Sequence, residues 1–152
     1  MRTCIICGTI SRHKYCKTCY KKSKHKVKCI LCDNITKSNK DKYCEDCKKF
    51  RTWATSRIFN KKYLGMDIKF SIEWLAGKAR NTTHCELCGH ELDYNAGKDY
   101  SCYASLDRIN NEIVLTEDNV WIVCYRCNTT KSNRTLTEFI DYCELITKRW
   151  RT

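Results

Sequence analysis

Paired cysteines constrain this chain more than any other feature of its sequence. Twelve of its 14 cysteines fall in six C-x2-C pairs. A C-x2-C knuckle directs two thiolates at one point, and two knuckles complete a tetrahedral zinc site. The sequence therefore predicts three Cys4 zinc sites. Their ligands are Cys4, Cys7, Cys16, Cys19, Cys29, Cys32, Cys44, Cys47, Cys85, Cys88, Cys124 and Cys127.

Two other uses of paired cysteines are less favoured. A disulfide framework needs an oxidising compartment, and residues 1–10 lack the apolar core of a signal peptide. We therefore expect a cytoplasmic protein with reduced cysteines. A redox-active C-x2-C would account for one pair but hardly for six. Cys102 and Cys143 lie outside the pairs and are expected to be small buried hydrophobes.

Residues 1–50 contain an internal repeat. The letters C-I-I-C followed by K-Y-C-K-T-C recur as C-I-L-C followed by K-Y-C-E-D-C, so each copy carries four cysteines. This arrangement favours one zinc ion per copy. Because so short a unit buries little core, the metal must supply most of its folding free energy. We predict two tandem zinc ribbons over residues 1–49.

The charge is concentrated in the same part of the chain. Residues 1–63 hold 18 Lys and Arg against four Asp and Glu, a net of +14, whereas residues 64–152 hold 11 against 13, a net of −2. Two Cys4 sites of −2 each leave the first part at about +10. Such a surface could serve solubility alone, but it is also what a phosphate backbone attracts. We predict a nucleic-acid partner. The longest apolar run, residues 120–125, is too short for a membrane span.

Apolar spacing predicts two helices in the middle of the chain. Residues 50–66 carry apolar side chains at i, i+3, i+4 and i+8, and Gly65 suits the C-terminal end of a helix. This linker helix is expected to pack its aromatic residues into a core. A second, shorter helix is predicted to begin near Ser71.

The C-terminal part is predicted to contain two strands and a closing helix. Apolar and polar residues alternate around residues 103–109 and 120–124, as in half-buried strands. Thr135 and Glu138 form a capping box at the start of the helix. Its apolar stripe should pack inward. The stripe consists of Phe139, Ile140, Cys143, Ile146 and Trp150.

Two segments carry a resemblance to a known family. Residues 104–110 read A-S-L-D-R-I-N, and residues 119–131 read N-V-W-I-V-C-Y-R-C-N-T-T-K. Together they resemble the HNH (ββα-metal) endonucleases, and most closely the phage-encoded, homing-endonuclease-like branch that reads S-L-D-R-I-[DN]. The resemblance covers about residues 68–145 and leaves the ribbons outside it.

The resemblance implies a fold and an activity. It adds an HNH nuclease domain over residues 67–152, which contains the third Cys4 site, to the two ribbons and the linker helix predicted above, so the expected fold is a small zinc-stabilised α+β protein. The activity is metal-dependent hydrolysis of phosphodiester bonds in duplex DNA. A phage-encoded protein of this kind would act in the cytoplasm of a bacterial host, in homing or genome processing.

The resemblance also assigns roles to individual residues. Asp107 and Asn128 correspond to the two protein ligands of a catalytic Mg²⁺ or Mn²⁺ ion. Oxygen ligands of this kind are what Mg²⁺ prefers. Asn119 corresponds to the Asn that holds the loop in place. Lys131 corresponds to a basic residue that faces phosphate.

Arg108 departs from the best-known members of the family, which have a His base at this position. A guanidinium stays protonated and is not an ordinary general base, although it can clamp a phosphate through two hydrogen bonds. His84 and His90 flank a cysteine knuckle and are more readily explained as bystanders. A hydroxide generated by the ion, without a protein base, is the other possibility.

A second hypothesis of a different class follows from the missing base. The chain would then be a catalytically inactive zinc-ribbon protein that binds DNA or RNA and retains the HNH fold. Binding of a divalent ion by Asp107 and Asn128, beyond the three zinc ions, distinguishes the two hypotheses. The target sequence, nicking versus double-strand cleavage and the oligomeric state are not indicated by the sequence.

Overall fold

The computed structural model describes residues 2–23, 27–38, 40–95 and 100–151. The chain divides into two compact units, Met1–Lys48 and Lys49–Thr152. In chain order the elements are β1 (Arg2–Thr3), β2 (Ile10–Ser11), α1 (Lys17–Ser23), α2 (Glu45–Tyr63), α3 (Ile72–Asn81), a single 3₁₀ turn (Tyr100–Cys102), β3 (Ala104–Arg108), β4 (Val120–Cys124), α4 (Tyr125–Lys131) and α5 (Leu136–Trp150).

Both copies of the internal repeat lie in the first unit and share a local design. In the first copy β1 pairs antiparallel with β2 across the first knuckle, and α1 begins directly after Cys16. In the second copy a single antiparallel bridge joins Lys28 to Ile35, and α2 begins directly after Cys44. Each copy is thus a short antiparallel pairing followed by a helix that starts at its third cysteine.

The second unit is built on one antiparallel hairpin. Strands β3 and β4 pair in a register that sets Ala104 opposite Cys124 and Asp107 opposite Trp121. All five residues of β4 are buried, and in β3 only Arg108 is partly exposed. Helix α4 follows β4 without an intervening loop. This hairpin and helix hold the residues for which sequence roles were predicted.

The linker helix was predicted over residues 50–66, whereas α2 spans Glu45–Tyr63. It begins earlier because two acidic residues of the second knuckle occupy its first turn, where the positive end of the helix dipole favours them. It ends two residues before Gly65, whose φ of 73° is the left-handed conformation of a C-terminal glycine cap. Trp53 is buried on this helix and packs edge-to-face on Tyr94 with ring centroids 5.2 Å apart.

The start of α3 near Ser71 and the capping box of α5 match the predictions, but the packing of α5 does not. Ser71 caps α3, and Thr135 forms a capping box with Glu138 at the start of α5. Of the predicted inward stripe only Phe139 is buried, and Trp150 is 79% exposed. The helix is about 22 Å long, and only its first turn meets the core. The expectation that Cys143 is buried is also wrong, because it lies on the exposed length of this helix.

None of the helices within the described ranges is both long enough and apolar enough to cross a lipid bilayer.

Candidate metal centres and active site

The twelve paired cysteines form three groups of four. In each group the ligand atoms lie within 4.8 Å of one another, and the groups are Cys4/Cys7/Cys16/Cys19, Cys29/Cys32/Cys44/Cys47 and Cys85/Cys88/Cys124/Cys127. The Sγ atoms of Cys7 and Cys16 are 3.7 Å apart, and those of Cys88 and Cys124 are 3.8 Å apart. A tetrahedral zinc ion with Zn–S bonds of about 2.3 Å needs sulfur atoms about 3.8 Å apart. The predicted grouping is confirmed, and its geometry fits zinc.

Backbone amides prepare these sulfurs to carry negative charge. Amide N–H groups of Cys16 and Ile6 lower the pKa of Cys4 to about 6. Burial raises the pKa of Cys85, but N–H groups of Cys124 and Cys88 outweigh it and lower the pKa to about 7. Side-chain hydrogen bonds with Cys7 and Cys16 raise the pKa of Cys19, and burial raises the pKa of Cys127. A divalent cation binds the deprotonated form of such thiols, so metal binding would release their protons.

A polar cluster joins β3 to α4. Ser105 and Asp107 are two residues apart on a strand and therefore point to the same face. Asn128 and Lys131 are three residues apart on α4 and share a helix face. Asn128 Nδ2 donates a hydrogen bond of 2.7 Å to Ser105 Oγ, and Lys131 Nζ lies 3.1 Å from Asp107 Oδ2. We call these four residues the β3–α4 cluster.

Asp107 is held firmly within this cluster. It is 7% exposed, and its Oδ2 accepts a hydrogen bond of 3.0 Å from Trp121 Nε1 in addition to the ion pair. Lys131 is completely buried and also donates to the carbonyl oxygen of Arg108 at 3.2 Å. The expectation that Lys131 faces phosphate therefore differs from the structure, in which its ammonium turns inward to the carboxylate. The ammonium turns inward because α4 lies directly against β3.

One oxygen of each predicted metal ligand remains available. Among the described residues, none donates a hydrogen bond to Asp107 Oδ1 or to Asn128 Oδ1, since the bonds of these side chains run through Oδ2 and Nδ2. A carboxylate oxygen and an amide oxygen are suitable ligands for Mg²⁺ or Mn²⁺. The donor set fits a hard divalent cation, although Lys131 already supplies one positive charge to Asp107.

Asn119 organises the loop that joins β3 to β4. It is 7% exposed, and its Oδ1 accepts from the backbone N–H of Asn110 at 2.8 Å. Its Nδ2 donates to the carbonyl oxygens of Asn110, Ile113 and Val114 at 2.9, 3.2 and 3.1 Å. The Asn119 side chain thus connects both ends of the loop through hydrogen bonds.

The remaining residues with predicted roles lie at the edge of the cluster or away from it. Arg108 is partly exposed at the end of β3 and lines a cavity of about 320 Å³ with residues 65–67 and 112–115. His84 and His90 are exposed. Their ring nitrogens contact Thr83 Oγ1 and Cys88 Sγ, and no contact with Asp107 or Asn128 is found within the described chain.

Two residues that hold the predicted metal ligands in place were not identified from the sequence. Ser105 fixes the Asn128 amide, and Trp121 donates to the Asp107 carboxylate. A signal for Ser105 was present, because it lies two residues before Asp107 and so shares its strand face. For Trp121 the signal was the hairpin register, which sets it opposite Asp107.

Comparisons with known proteins gave one structural similarity. No protein-family model and no curated protein matches this chain. Among solved structures, that of the rare-cutting HNH restriction endonuclease PacI is similar over 99% of this chain and 96% of its own, with 19% sequence identity and a TM-score of 0.46. The function proposed next rests on the geometry of this chain's own residues.

Proposed function

We propose that this chain is a metal-dependent DNA endonuclease of the HNH type. The observation that supports it is the pair Asp107 and Asn128, 21 residues apart in sequence and both part of the β3–α4 cluster. Each is fixed through one side-chain atom and keeps one oxygen for a cation. The third Cys4 group lies at the junction of β4 and α4, where a bound zinc ion would hold the strand and the helix together.

The chain's own residues account for several requirements of phosphodiester hydrolysis. Asp107 and Asn128 would hold Mg²⁺ or Mn²⁺, which when bound stabilises negative charge on the scissile phosphate. Trp121 and Lys131 fix the carboxylate and so restrict the position of its free oxygen. Arg108 carries a permanent positive charge at the exposed end of β3, where it can bind a phosphate oxygen. It does not accept a proton from water.

The first unit would supply DNA affinity. Its positive charge is distributed over two small metal-bound units, and this favours attraction to the phosphate backbone of a duplex with release of counterions. We propose that the first unit binds DNA and the second cuts it. A phage-encoded protein acting in the bacterial cytoplasm, in homing or genome processing, is the biological setting that the sequence resemblance suggests.

The test is plasmid cleavage with Mg²⁺ or Mn²⁺ in zinc-replete buffer without chelator. We expect Asp107→Ala and Asn128→Ala to abolish cutting while DNA binding stays near that of the wild type. The exposed residues Asp118 and Asn133 provide matched controls, and Asp118→Ala and Asn133→Ala should cut normally. Cleavage that survives in Asp107→Ala would refute the assignment of the site.

One observation favours a second candidate function, a catalytically inactive zinc protein that binds DNA or RNA. Asp107 is already paired with the completely buried Lys131, so its charge is neutralised without a metal. Titration of the zinc-loaded chain with Mn²⁺ separates the two candidates. An additional bound ion that is lost in Asp107→Ala supports the nuclease. DNA binding without an additional ion and without cleavage supports the inactive binding protein.

A further inference from the structure

Helix α2 contacts the start of β3 and lies outside the hairpin and helix that form the β3–α4 cluster. Trp53 Nε1 donates to the carbonyl oxygen of Ala104 at 2.8 Å. One turn later, the Arg57 guanidinium donates to the Tyr103 hydroxyl at 3.2 Å and lies 5.0 Å from the centre of that ring. Residues 53 and 57 belong to one row of the helix surface, and the next residue of this row is Lys61.

The chain just after α2 brings Lys61 near the end of β3. Gly65 and Met66 line one cavity with Arg108, and Met66 N–H donates to the Lys61 carbonyl oxygen at 3.0 Å. On the helix, Lys61 thus lies between Arg57, which contacts Tyr103, and Met66, which lines the Arg108 cavity.

The electrostatics of Lys61 agree with that position. Burial is the main cause that lowers the pKa of Lys61, and the charges of Arg108 and Arg57 lower it further. The carboxylate of Asp107 acts in the opposite direction. These interactions require Lys61 to lie within electrostatic reach of both residues at the end of β3.

The cations at this end of β3 outnumber the carboxylates there. Asp107 and Asp67 are each paired with a lysine, and the exposed Glu112 lines the Arg108 cavity. Across the described ranges no ion pair includes Lys61, Arg57 or Arg108, and the buried Nε of Arg57 has no hydrogen-bond partner there. An excess of partly buried positive charge is unfavourable unless an anion joins it.

We propose that Lys61, together with Arg108, binds a phosphate of the DNA strand at the Asp107 end of β3. This inference rests on the proposed function and adds to it a phosphate-binding residue from a helix outside the nuclease motif. A simpler role for Lys61 is to complement the negative end of the α2 dipole. Lys62 shares that role, since it occupies the same last turn, but it is exposed. It is therefore the matched control.

The experiment measures DNA binding of the full, zinc-loaded chain at several salt concentrations, without added divalent ion, for Lys61→Gln, Lys62→Gln and Lys61→Arg. Loss of one phosphate contact lowers the slope of log Kd against log salt by about 0.9. We expect this decrease for Lys61→Gln, restoration by Lys61→Arg and no change for Lys62→Gln. Cleavage by Lys61→Gln should be slowed by about 10-fold or more, with Lys62→Gln unchanged.

Each other outcome has a distinct meaning. Equal slopes for Lys61→Gln and wild type, or equal decreases for Lys61→Gln and Lys62→Gln, would overturn the phosphate contact. Loss of folding by both Lys61→Gln and Lys61→Arg would also overturn it, because a structural need for the native side chain would then explain its position. Absence of cleavage in the wild type would reject the nuclease, while the salt dependence would still decide whether Lys61 binds phosphate.

Discussion

The ion pair between Asp107 and Lys131 gives a quantitative prediction for Lys131→Met. This change removes the ammonium but keeps a long apolar chain, so the cavity it creates is small. Unit charges 3.1 Å apart attract one another by about 5 kcal/mol at an effective dielectric constant of about 20. Removing one partner of a buried pair typically costs about 3–5 kcal/mol. The Trp121 hydrogen bond remains to stabilise the Asp107 carboxylate, so we expect a loss of about 3 kcal/mol in the free energy of unfolding.

Tryptophan fluorescence in a urea titration measures this loss in the relevant part of the chain. All four tryptophans, Trp53, Trp74, Trp121 and Trp150, lie in the second unit, so their signal reports on the unit that contains the ion pair. The control is Lys148→Met, at an exposed position of α5, where a change of less than about 0.5 kcal/mol is expected.

A double-mutant cycle identifies the cause of the loss. In Asp107→Asn/Lys131→Met no charge remains in the cluster, so we expect at least half of the lost stability to return. Addition of Mn²⁺ should stabilise Lys131→Met more than the wild type, because a divalent ion can replace the missing ammonium beside Asp107. The reasoning would be refuted if Lys131→Met were no less stable than Lys148→Met, or if Asp107→Asn deepened the loss.

Two further predictions concern the loop and the first unit. Asn119→Ala removes four hydrogen bonds of a buried side chain and should lower the free energy of unfolding by about 2–3 kcal/mol. In the same urea assay, an effect no larger than that of the exposed Asn133→Ala would contradict this prediction. Deletion of residues 1–48 should weaken DNA binding and flatten its salt dependence, while the single-turnover rate of cleavage of bound substrate changes little. Unchanged binding would show that the first unit does not bind DNA.

Local chemistry made much of this fold predictable. The grouping of cysteines follows from spacing alone, because each knuckle is a turn of four residues and each copy of the repeat contains two knuckles. The capping box at Thr135 was identifiable because a helix N-terminus is satisfied by side chains within three residues of it. Strand β3 followed from alternation, which depends only on the period of the backbone, whereas β4 is a short unbroken apolar run, as expected of a strand buried on both faces.

Properties that depend on distant packing were not predictable in the same way. The apolar pattern of α5 was read correctly as a helix, but no pattern indicates how far a core extends beneath it. The ammonium of Lys131 turns inward because β3 presents a carboxylate there. The sequence does not indicate a role for Lys61, because Lys61 precedes Asp107 by 46 residues and comes near it only through the packing of α2 in the folded chain. A sequence pattern does not show which residues of separate elements come together in the folded structure.

The three cysteine groups share one backbone arrangement. The N–H of each first cysteine donates to the carbonyl oxygen five residues later, at 2.8, 2.9 and 2.7 Å for Cys4, Cys29 and Cys85. The next residue donates to the carbonyl oxygen two residues before the third cysteine, and the acceptors are Lys14, Lys42 and Ile122. A helix begins directly after each third cysteine.

The second unit therefore contains a third copy of the four-cysteine unit seen twice in the first, concealed in the sequence by its long insert. Between second and third cysteines the two copies in the first unit have eight and 11 residues, whereas the third has residues 89–123. That insert carries β3, the Asn119 loop and most of β4, while α4 is the helix that the shared design already provides. The amide of Cys124 donates to Cys85 Sγ at 3.2 Å, so the sulfur ligands anchor the strand directly before the helix that carries Asn128. A metal ion bound in the third group would thus fix the geometry of the candidate site, and the proposed reactive centre would lie directly beside a structural ion.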